Sequence, residues 1–345
     1  MELRIPFATL VKVALFALLC VIVIKLWPII LMIVIAALIA VMIDPGVGWL
    51  ADHGVKRGFG IAIAGVLMFG FLAVFLFVIV PLTVSEMRDL GKQLPRLVQQ
   101  VASRAPAVQP YIAPLAQMAS RPPNGPQLQQ WLTRGLIAGK FAVTAVTAMT
   151  LTLVIALYLL IEGRRALEWL IVFAHPAQRE KLRRTMNRVQ PIVFAYMRGQ
   201  AITCVLCSGV ALTTLMLLHI PAAVPLAVLA FLADLVPIVG TIIMIAPAVL
   251  LALVESPVKA IIVLVVYVSY HLLESYFIIP RVFGREMRLS FLTVLLAVTI
   301  GGTLQGALGA VLILPFVAAY PVIEEIWLRP RLGDTVEQHE RIEER

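Results

Sequence analysis

The sequence predicts an all-α, polytopic integral membrane protein with about eight membrane segments, two of which are broken or re-entrant helical hairpins. Three observations support this prediction. First, 61% of the 345 residues are apolar and 14% are charged, whereas soluble domains are about 45–50% apolar and about 25% charged. Second, apolar runs of about 20 residues, the length that spans a bilayer as a helix, recur along the chain. Third, proline, glycine and polar residues interrupt two further apolar regions.

The N-terminal region, residues 1–81, predicts a transmembrane hairpin followed by a third span. The apolar runs Phe7–Leu26 and Ile29–Ile43 flank Trp27-Pro28, where we expect the chain to turn. Neither run is followed by the small-residue site of a cleaved signal peptide, so we expect the hairpin to be retained. The third span is Phe59–Val80, which contains no polar side chain.

Residues 82–140 predict an extracytoplasmic amphipathic segment. An apolar stripe at helical spacing runs along its first half and comprises Met87, Leu90, Leu94, Leu97 and Val101. A proline-rich stretch over residues 106–126 predicts a turn-rich tip. The favoured interpretation is a helix that lies on the membrane or on its own bundle, and a contact between subunits is the alternative.

The charged residues predict which side of the membrane the loops face. The fourth span, 141–161, is followed by residues 162–200, which carry eight Lys or Arg and three Glu. Such short basic loops are retained in the cytoplasm. We count the spans from this basic loop and assume that each interrupted region returns to the side from which it enters. This count predicts that both termini are cytoplasmic. The charged tail, 328–345, then lies in the cytoplasm.

The region 201–327 predicts a transport core. It contains a fifth span, Ala201–Ile220, a sixth span, Val258–Ile279, and two interrupted hairpins over 221–254 and 290–327. The residues that interrupt the first hairpin are Asp234, Pro237 and Gly240, and those in the second are Gly302, Gln305, Gly306 and Gly309. Two interrupted segments in matching halves of a chain are typical of a transporter site near the bilayer midplane. Close helix packing at the glycines stays open as the alternative.

The sixth span carries polar side chains on one helical face. Tyr267, Tyr270, His271 and Glu274 follow the i, i+3, i+4, i+7 spacing. Ionisable groups at membrane depth are costly and are typical of solute or ion paths. Two interpretations stay open: Glu274 belongs to a substrate or coupling site, or it forms a structural pair with Arg281 or with an arginine on a neighbouring helix.

The sequence lacks the short motifs of nucleotide-driven pumps, hydrolases and zinc enzymes. We therefore expect no enzyme, no cofactor and no metal site. The net charge of +9 is explained by the basic loops, so no nucleic-acid partner is expected. The residues favour a secondary transporter with a path for a solute or ions. A non-transporting membrane scaffold or regulator is the alternative, and a channel ranks below both because few charges line the expected path.

Three ordered motifs resemble the AI-2E family of bacterial transporters. They are Asp234-Leu-Val-Pro-Ile-Val-Gly240, Glu274-Ser-Tyr-Phe-Ile-Ile-Pro280 with Gly284, and Gly301-Gly-Thr-Leu-Gln-Gly306-Ala-Leu-Gly309. The resemblance implies a bacterial inner-membrane protein that contacts lipid, forms homo-oligomers and exports a small solute such as autoinducer-2. It also implies sodium–proton antiport as an alternative, because some members have that activity. The chain departs from the family where Thr241-Ile-Ile-Met follows the first motif.

Overall fold

The computed structural model describes residues 7–104, 125–237, 239–283 and 290–329. Within these residues the regular elements are helices and no strand occurs. Six of the helices are long and apolar enough to cross a membrane, and two shorter apolar helices cover Ala223–Asp234 and Val239–Glu255. The prediction of an all-α, multi-pass membrane protein is therefore confirmed.

The chain forms two compact units. One comprises Met1–Gly65 with Leu136–Leu167, and the other comprises Val66–Gly135 with Glu168–Arg345. The first unit contains helix α1 (Phe7–Asp52), the beginning of α2 (Arg57–Val74) and the middle of α4 (Gly125–Val172). Its buried core is apolar and consists of Ala40, Val47, Ile61, Ala64 and Leu160.

An ionic cluster closes one end of the first unit. Arg57 donates to the Asp44 carboxylate over 2.7 Å and to the Leu160 carbonyl over 3.4 Å. The guanidinium of Arg164 lies 3.9 Å from the same carboxylate. These contacts hold the end of α1, the start of α2 and the charged part of α4 at a common level.

The prediction of an N-terminal hairpin is wrong. Helix α1 is continuous from Phe7 to Asp52 and includes both Pro28 and Pro45. A proline inside a helix removes one hydrogen-bond donor, whereas a reversal in lipid would leave several backbone groups without partners. Because no glycine or polar turn residue accompanies Pro28, the helix continues through it.

The third predicted span and the amphipathic segment form one helical path. Helix α2 continues through a π-helical turn, Phe75–Ile79, into α3 (Val80–Arg104). This confirms the helix that the apolar stripe from Met87 to Val101 predicts. Most of the predicted proline-rich tip, residues 105–124, lies outside the described residues.

The prediction of a basic loop over 162–200 is also wrong. Helix α4 extends to Val172, and α5 covers Pro176–Leu217, so the turn between them is only three residues long. The charged side chains stabilise these helix ends. Arg183 pairs with Glu168 across the turn at 2.6 Å, and Arg179 donates to the carbonyls of Val172 and Ala174.

The second unit is built around α5 and a layer of shorter helices. These are α6 (Ala223–Asp234), α7 (Val239–Glu255) and α8 (Pro257–Leu273), which continues through a π-helical turn, Glu274–Ile278, into α9 (Ile279–Phe283). Alanine dominates their buried contacts, including Ala211, Ala227, Ala230, Ala248 and Ala252. Small residues allow close helix approach in a membrane, where lipid supplies no hydrophobic driving force.

The second interrupted hairpin is formed by α10 (Phe291–Ala318). Its backbone leaves the helical conformation at Gln305 and Gly306, and Gly306 has φ 61° and ψ −147°. Gly301 and Gly309 are in direct backbone contact, although eight helical residues would separate them by about 12 Å. The chain therefore reverses at 305–306, which confirms the broken hairpin. Helix α11 (Tyr320–Ile323) and a π-helical turn, Glu324–Leu328, follow.

Candidate functional site

The first hairpin breaks directly after Asp234, inside the second unit. Helix α6 ends at Asp234, Leu235–Pro237 form a turn, and α7 begins at Val239. Pro237 supplies a carbonyl that accepts from the Val239 N–H over 2.8 Å. A Cβ atom at Gly240 would overlap the carbonyl group of Ala233. Glycine at 240 therefore allows the two arms to close immediately after the break.

Gln200 on α5 holds this break in place. Its Nε2 donates to the backbone carbonyl of Asp234 over 2.9 Å, a carbonyl left without an intrahelical partner at the end of α6. Thr203 and Cys204 lie beside the Asp234 side chain. The sequence interpretation missed Gln200 because it was assigned to the end of the basic loop. A polar residue at the start of an apolar run is the signal that could have identified it.

The Asp234 carboxylate is partly buried and incompletely paired. Its Oδ2 atom is inaccessible to solvent and has no hydrogen-bond partner among the described residues. Asp234 also interacts electrostatically with Glu274 and His271. A carboxylate oxygen without a partner inside a membrane protein is expensive and points to a ligand or proton site.

Glu274 forms the second acidic position of the cluster. Its side chain is 4% exposed, and its Oε2 lies 3.1 Å from Nδ1 of His271. At this distance the two groups form an ion pair when the imidazole is protonated, but Nδ1 has no hydrogen-bond partner among the described residues. Glu274 opens the π-helical turn that interrupts the sixth span, and such turns are frequent at functional sites.

The structure distinguishes between the pairing alternatives for Glu274. Arg281 does not pair with it. The Arg281 guanidinium instead donates to the Phe277 carbonyl over 3.2 Å and lies over the Phe277 ring at 5.5 Å from its centroid. The acid pairs with His271 on its own segment, so the predicted alternative of an ion pair with Arg281 is wrong.

The remaining polar residues of the sixth span connect it to α5 and α7. The Tyr270 hydroxyl donates to the Thr203 carbonyl over 3.4 Å. The contact with α7 is made by His271, whose Nε2 lies 2.6 Å from Oγ1 of Thr241. Tyr267, Tyr270 and Glu274 are all buried, so the helical face that the spacing predicts is the face that packs inward.

The polar residues of the second hairpin lie elsewhere in the same unit. Gln305 and Gly306 are exposed at the reversal, whereas Gly309 is buried between the two arms. Gly302 is half-buried, and a Cβ there would meet only Ala310 at 4.0 Å. The structure therefore brings Asp234, Tyr270, His271 and Glu274 into one cluster and leaves Gln305 outside it.

The second hairpin nevertheless packs near the first break. Ala297, Val298, Ala310 and Leu314 from its two arms form a buried group with Tyr196 of α5, and Val236 of the first break packs against this group. Among the described residues, no set of three or more His, Cys, Asp or Glu side chains is arranged to hold a metal ion. The cluster is thus two acids and an imidazole beside the break of the first hairpin.

Comparisons with known proteins give the family. A family model described as AI-2E family transporter matches residues 10–329. The chain is 23% identical over 307 residues to "Putative transport protein YueF" of Bacillus subtilis strain 168, covering 86% of this chain and 82% of that protein. The similarly named YrrI of the same organism is 23% identical over 315 residues, covering 86% of each chain.

A third relative aligns over a shorter stretch. The similarly named MT0215 of Mycobacterium tuberculosis strain CDC 1551 is 29% identical over 195 residues, which are 56% of this chain and 53% of that protein. The family match covers nearly the whole chain, including both interrupted hairpins. The chain belongs to the AI-2E transporter family and is a multi-pass membrane transporter.

Proposed function

We propose that this transporter is a secondary exporter of a small polar solute such as autoinducer-2, without its own ATPase, in a bacterial inner membrane. The observation that carries the proposal is the cluster at the first break, where Asp234 and Glu274 approach one another from different helices. Asp234, Tyr270, His271 and Glu274 would contact the solute or its coupling ion. The break at Pro237 and Gly240 would give that site its shape.

The chemistry of the cluster suits a solute with several hydroxyl groups. Carboxylates accept hydrogen bonds from hydroxyls, and the Asp234 Oδ2 atom has no protein partner among the described residues. The imidazole of His271 and the hydroxyl of Tyr270 add groups that can donate. A buried ionisable residue costs free energy in a membrane, so retaining two acids here is consistent with a path for solute or ions.

A second candidate is exchange of sodium or another cation for protons. The specific observation that favours it is the combination of two carboxylates with one imidazole, since each can lose or gain a proton. Carbonyl groups freed at a broken helix are also typical sodium ligands in transporters. In this candidate, Asp234 and Glu274 would bind the cation when they are ionised.

The sidedness that we propose follows from contacts within each unit. The Asp44–Arg57–Arg164 cluster joins the turn after α1 to the basic end of α4, which supports the same side of the membrane for both. In the second unit, Arg188 pairs with Glu325 at 2.8 Å, and Trp327 donates to Thr185 over 2.9 Å. The positive-inside rule supports a cytoplasmic location for both levels, and we propose the same side for the C-terminal tail.

We propose that the start of the first hairpin lies on the opposite, extracytoplasmic side of the membrane. The Val224 N–H donates to the Glu86 carboxylate over 3.1 Å, so α3 and the start of α6 lie at one level. The first hairpin would then open from the extracytoplasmic side and the second from the cytoplasmic side. Two hairpins of opposite orientation are the arrangement expected for alternating access.

Reconstituted liposomes test the proposed function. Purified protein would be assayed for efflux of labelled autoinducer-2 and, separately, for dye-reported proton movement after a sodium jump. Glu274→Gln is expected to lower whichever of these two activities the wild-type protein shows by at least about tenfold, since it removes a charge used for binding or coupling. Glu180→Gln is the matched control because Glu180 is exposed and pairs only locally with Arg184. Wild-type rates for Glu274→Gln would contradict the assignment of the site.

A further inference from the structure

We propose that Thr241 is a positioning residue that sets the protonation state of His271 and connects it to the break of the first hairpin. The inference rests on the proposed function, because it assigns a coupling role within the same cluster. Oγ1 of Thr241 lies 2.6 Å from Nε2 of His271, and Nδ1 of the same ring lies 3.1 Å from Oε2 of Glu274. The hydroxyl, imidazole and carboxylate thus lie in a row, with a hydrogen bond at the first contact and a 3.1 Å approach at the second.

The two contacts assign the protons of the neutral imidazole. An ionised carboxylate only accepts, so the ring nitrogen that lies 3.1 Å from Glu274, Nδ1, is the one expected to carry the proton. A neutral imidazole has one N–H, which leaves Nε2 as the acceptor. The Thr241 hydroxyl therefore donates its proton toward Nε2. Glu274 is 4% exposed, so water competes little for its oxygen atoms.

Protonation of His271 reverses the role of Thr241. When a proton adds to Nε2, both ring nitrogens become donors, and the Thr241 oxygen must accept. The hydroxyl proton must then point away from the ring, toward a different acceptor. One added proton thus makes the imidazolium–carboxylate pair neutral overall and reverses the hydrogen bond of Thr241, the residue that follows Gly240 at the break.

Among the described residues, the titratable groups that interact with His271 are Glu274 on its own segment and Asp234 at the end of α6. The phenol of Tyr270, also on this segment, interacts with both acids. Helix α5 contributes the thiols of Cys204 and Cys207, which interact with both acids. Thr241 is the group from α7 that bonds to the imidazole. Because Thr241 cannot titrate, its effect on pH dependence must act through His271.

Nitrogen NMR of the wild-type protein tests the proton assignment directly. The chain has five histidines, so 15N-histidine labelling with a His271→Gln spectrum identifies the relevant signals. At a pH where the ring is neutral, we expect Nδ1 to be protonated and Nε2 to have the shift of a hydrogen-bonded acceptor. A proton on Nε2 in the neutral ring would overturn the proposal, whether or not the protein transports any tested solute.

Transport measurements test whether the Thr241 hydroxyl affects activity through His271. Thr241→Val keeps the side-chain shape and removes the hydroxyl, and Thr241→Ser keeps the hydroxyl. We expect the Val variant to lose about tenfold in rate, the order expected for one lost hydrogen bond, and to shift the pH profile. Thr241→Ser is expected to remain within about twofold of wild type. Thr214→Val is the matched control, because the Thr214 hydroxyl donates to the Val210 carbonyl of its own helix over 2.7 Å.

The outcomes separate this inference from the proposed function. If wild-type protein transports and Thr241→Val keeps the wild-type rate and pH profile, the role of Thr241 is wrong while the transport site stands. If wild-type protein moves neither solute nor cations, the proposed function fails, and the NMR result still decides the proton assignment. If the Val variant does not fold, the transport rate of the Ser variant and the spectrum of the wild-type protein test the inference.

Discussion

At the residue scale, glycine decides whether the two hairpins can close. Gly240 packs on the carbonyl group of Ala233, and Gly301 packs on the backbone of Gly309. In both places the neighbour is backbone, which cannot move aside as a flexible side chain can. The sequence indicates a glycine-rich interruption, but it does not say which glycine turns the chain and which permits contact.

Gly309→Ala is expected to destabilise the second hairpin. The new Cβ would overlap the carbonyl oxygen of Gly301, and overpacking of this kind costs about 1–3 kcal/mol. Gly302→Ala is the matched control in the same hairpin, because its Cβ would meet only Ala310 at 4.0 Å. Thermal unfolding of both variants in detergent measures the difference. Equal melting temperatures would contradict the close packing of the arms.

Asp234→Asn separates charge from shape at the first break. The amide keeps the volume of the carboxylate and removes its charge, so transport is expected to fall at least about tenfold. Folding is expected to be retained, since Oδ2 has no protein partner to lose among the described residues. Efflux from liposomes and the melting temperature are measured together. An unchanged efflux rate would contradict a role for the Asp234 charge.

At the element scale, π-helical turns and distant contacts redirect helices that composition alone predicts to be straight. Such turns interrupt the path from α2 to α3 and the sixth span, where Glu274 is the first residue of the turn. An apolar run has the same composition with or without a turn of this kind. The sequence therefore predicts the length of the sixth span correctly and gives no sign that its backbone widens at Glu274.

Glu86 stabilises the start of α6 from another helix. The residue that precedes α6, Ala222, has φ 60° and provides no side-chain cap. The Glu86 carboxylate accepts from the Val224 N–H instead. Glu86→Gln is expected to cost about 1 kcal/mol, as for loss of a helix cap with its favourable charge. Thermal unfolding measures this cost, and the variant is expected to melt at a lower temperature than wild type.

Asp89→Asn provides the matched control for Glu86→Gln. Asp89 lies on the same helix, is exposed and pairs with Lys92 at 2.7 Å. Surface pairs of this kind contribute little to stability, so its melting temperature should stay close to that of wild type. If both variants melt at the wild-type temperature, the contact between α3 and α6 does not contribute to stability.

At the scale of the whole molecule, the continuity of α1 changes the count of membrane crossings. A helix of 46 residues is about 69 Å long, more than a bilayer core needs, and a continuous helix is expected to cross once rather than twice. With the turn after α1 in the cytoplasm, the N-terminus is then expected on the extracytoplasmic side. This replaces the cytoplasmic N-terminus that a hairpin would require.

Epitope tags test this topology. One tag is fused at the N-terminus and another is inserted between Ala174 and His175, in the turn that joins α4 to α5. In intact spheroplasts, antibody is expected to reach the N-terminal tag and not the turn tag. Permeabilised cells serve as the control for tag detection. Protection of both tags in intact cells would contradict a single crossing by α1.

The sequence by itself determined the membrane class and the two interruptions, because these depend on local composition and on proline and glycine. It also identified the inward face of the sixth span through helical spacing. Only the tertiary structure decided that α1 continues through Pro28, that Gln305 stays apart from the acids, and that Gln200 and Thr241 join them. Those outcomes depend on contacts between helices distant in sequence, which local patterns do not encode.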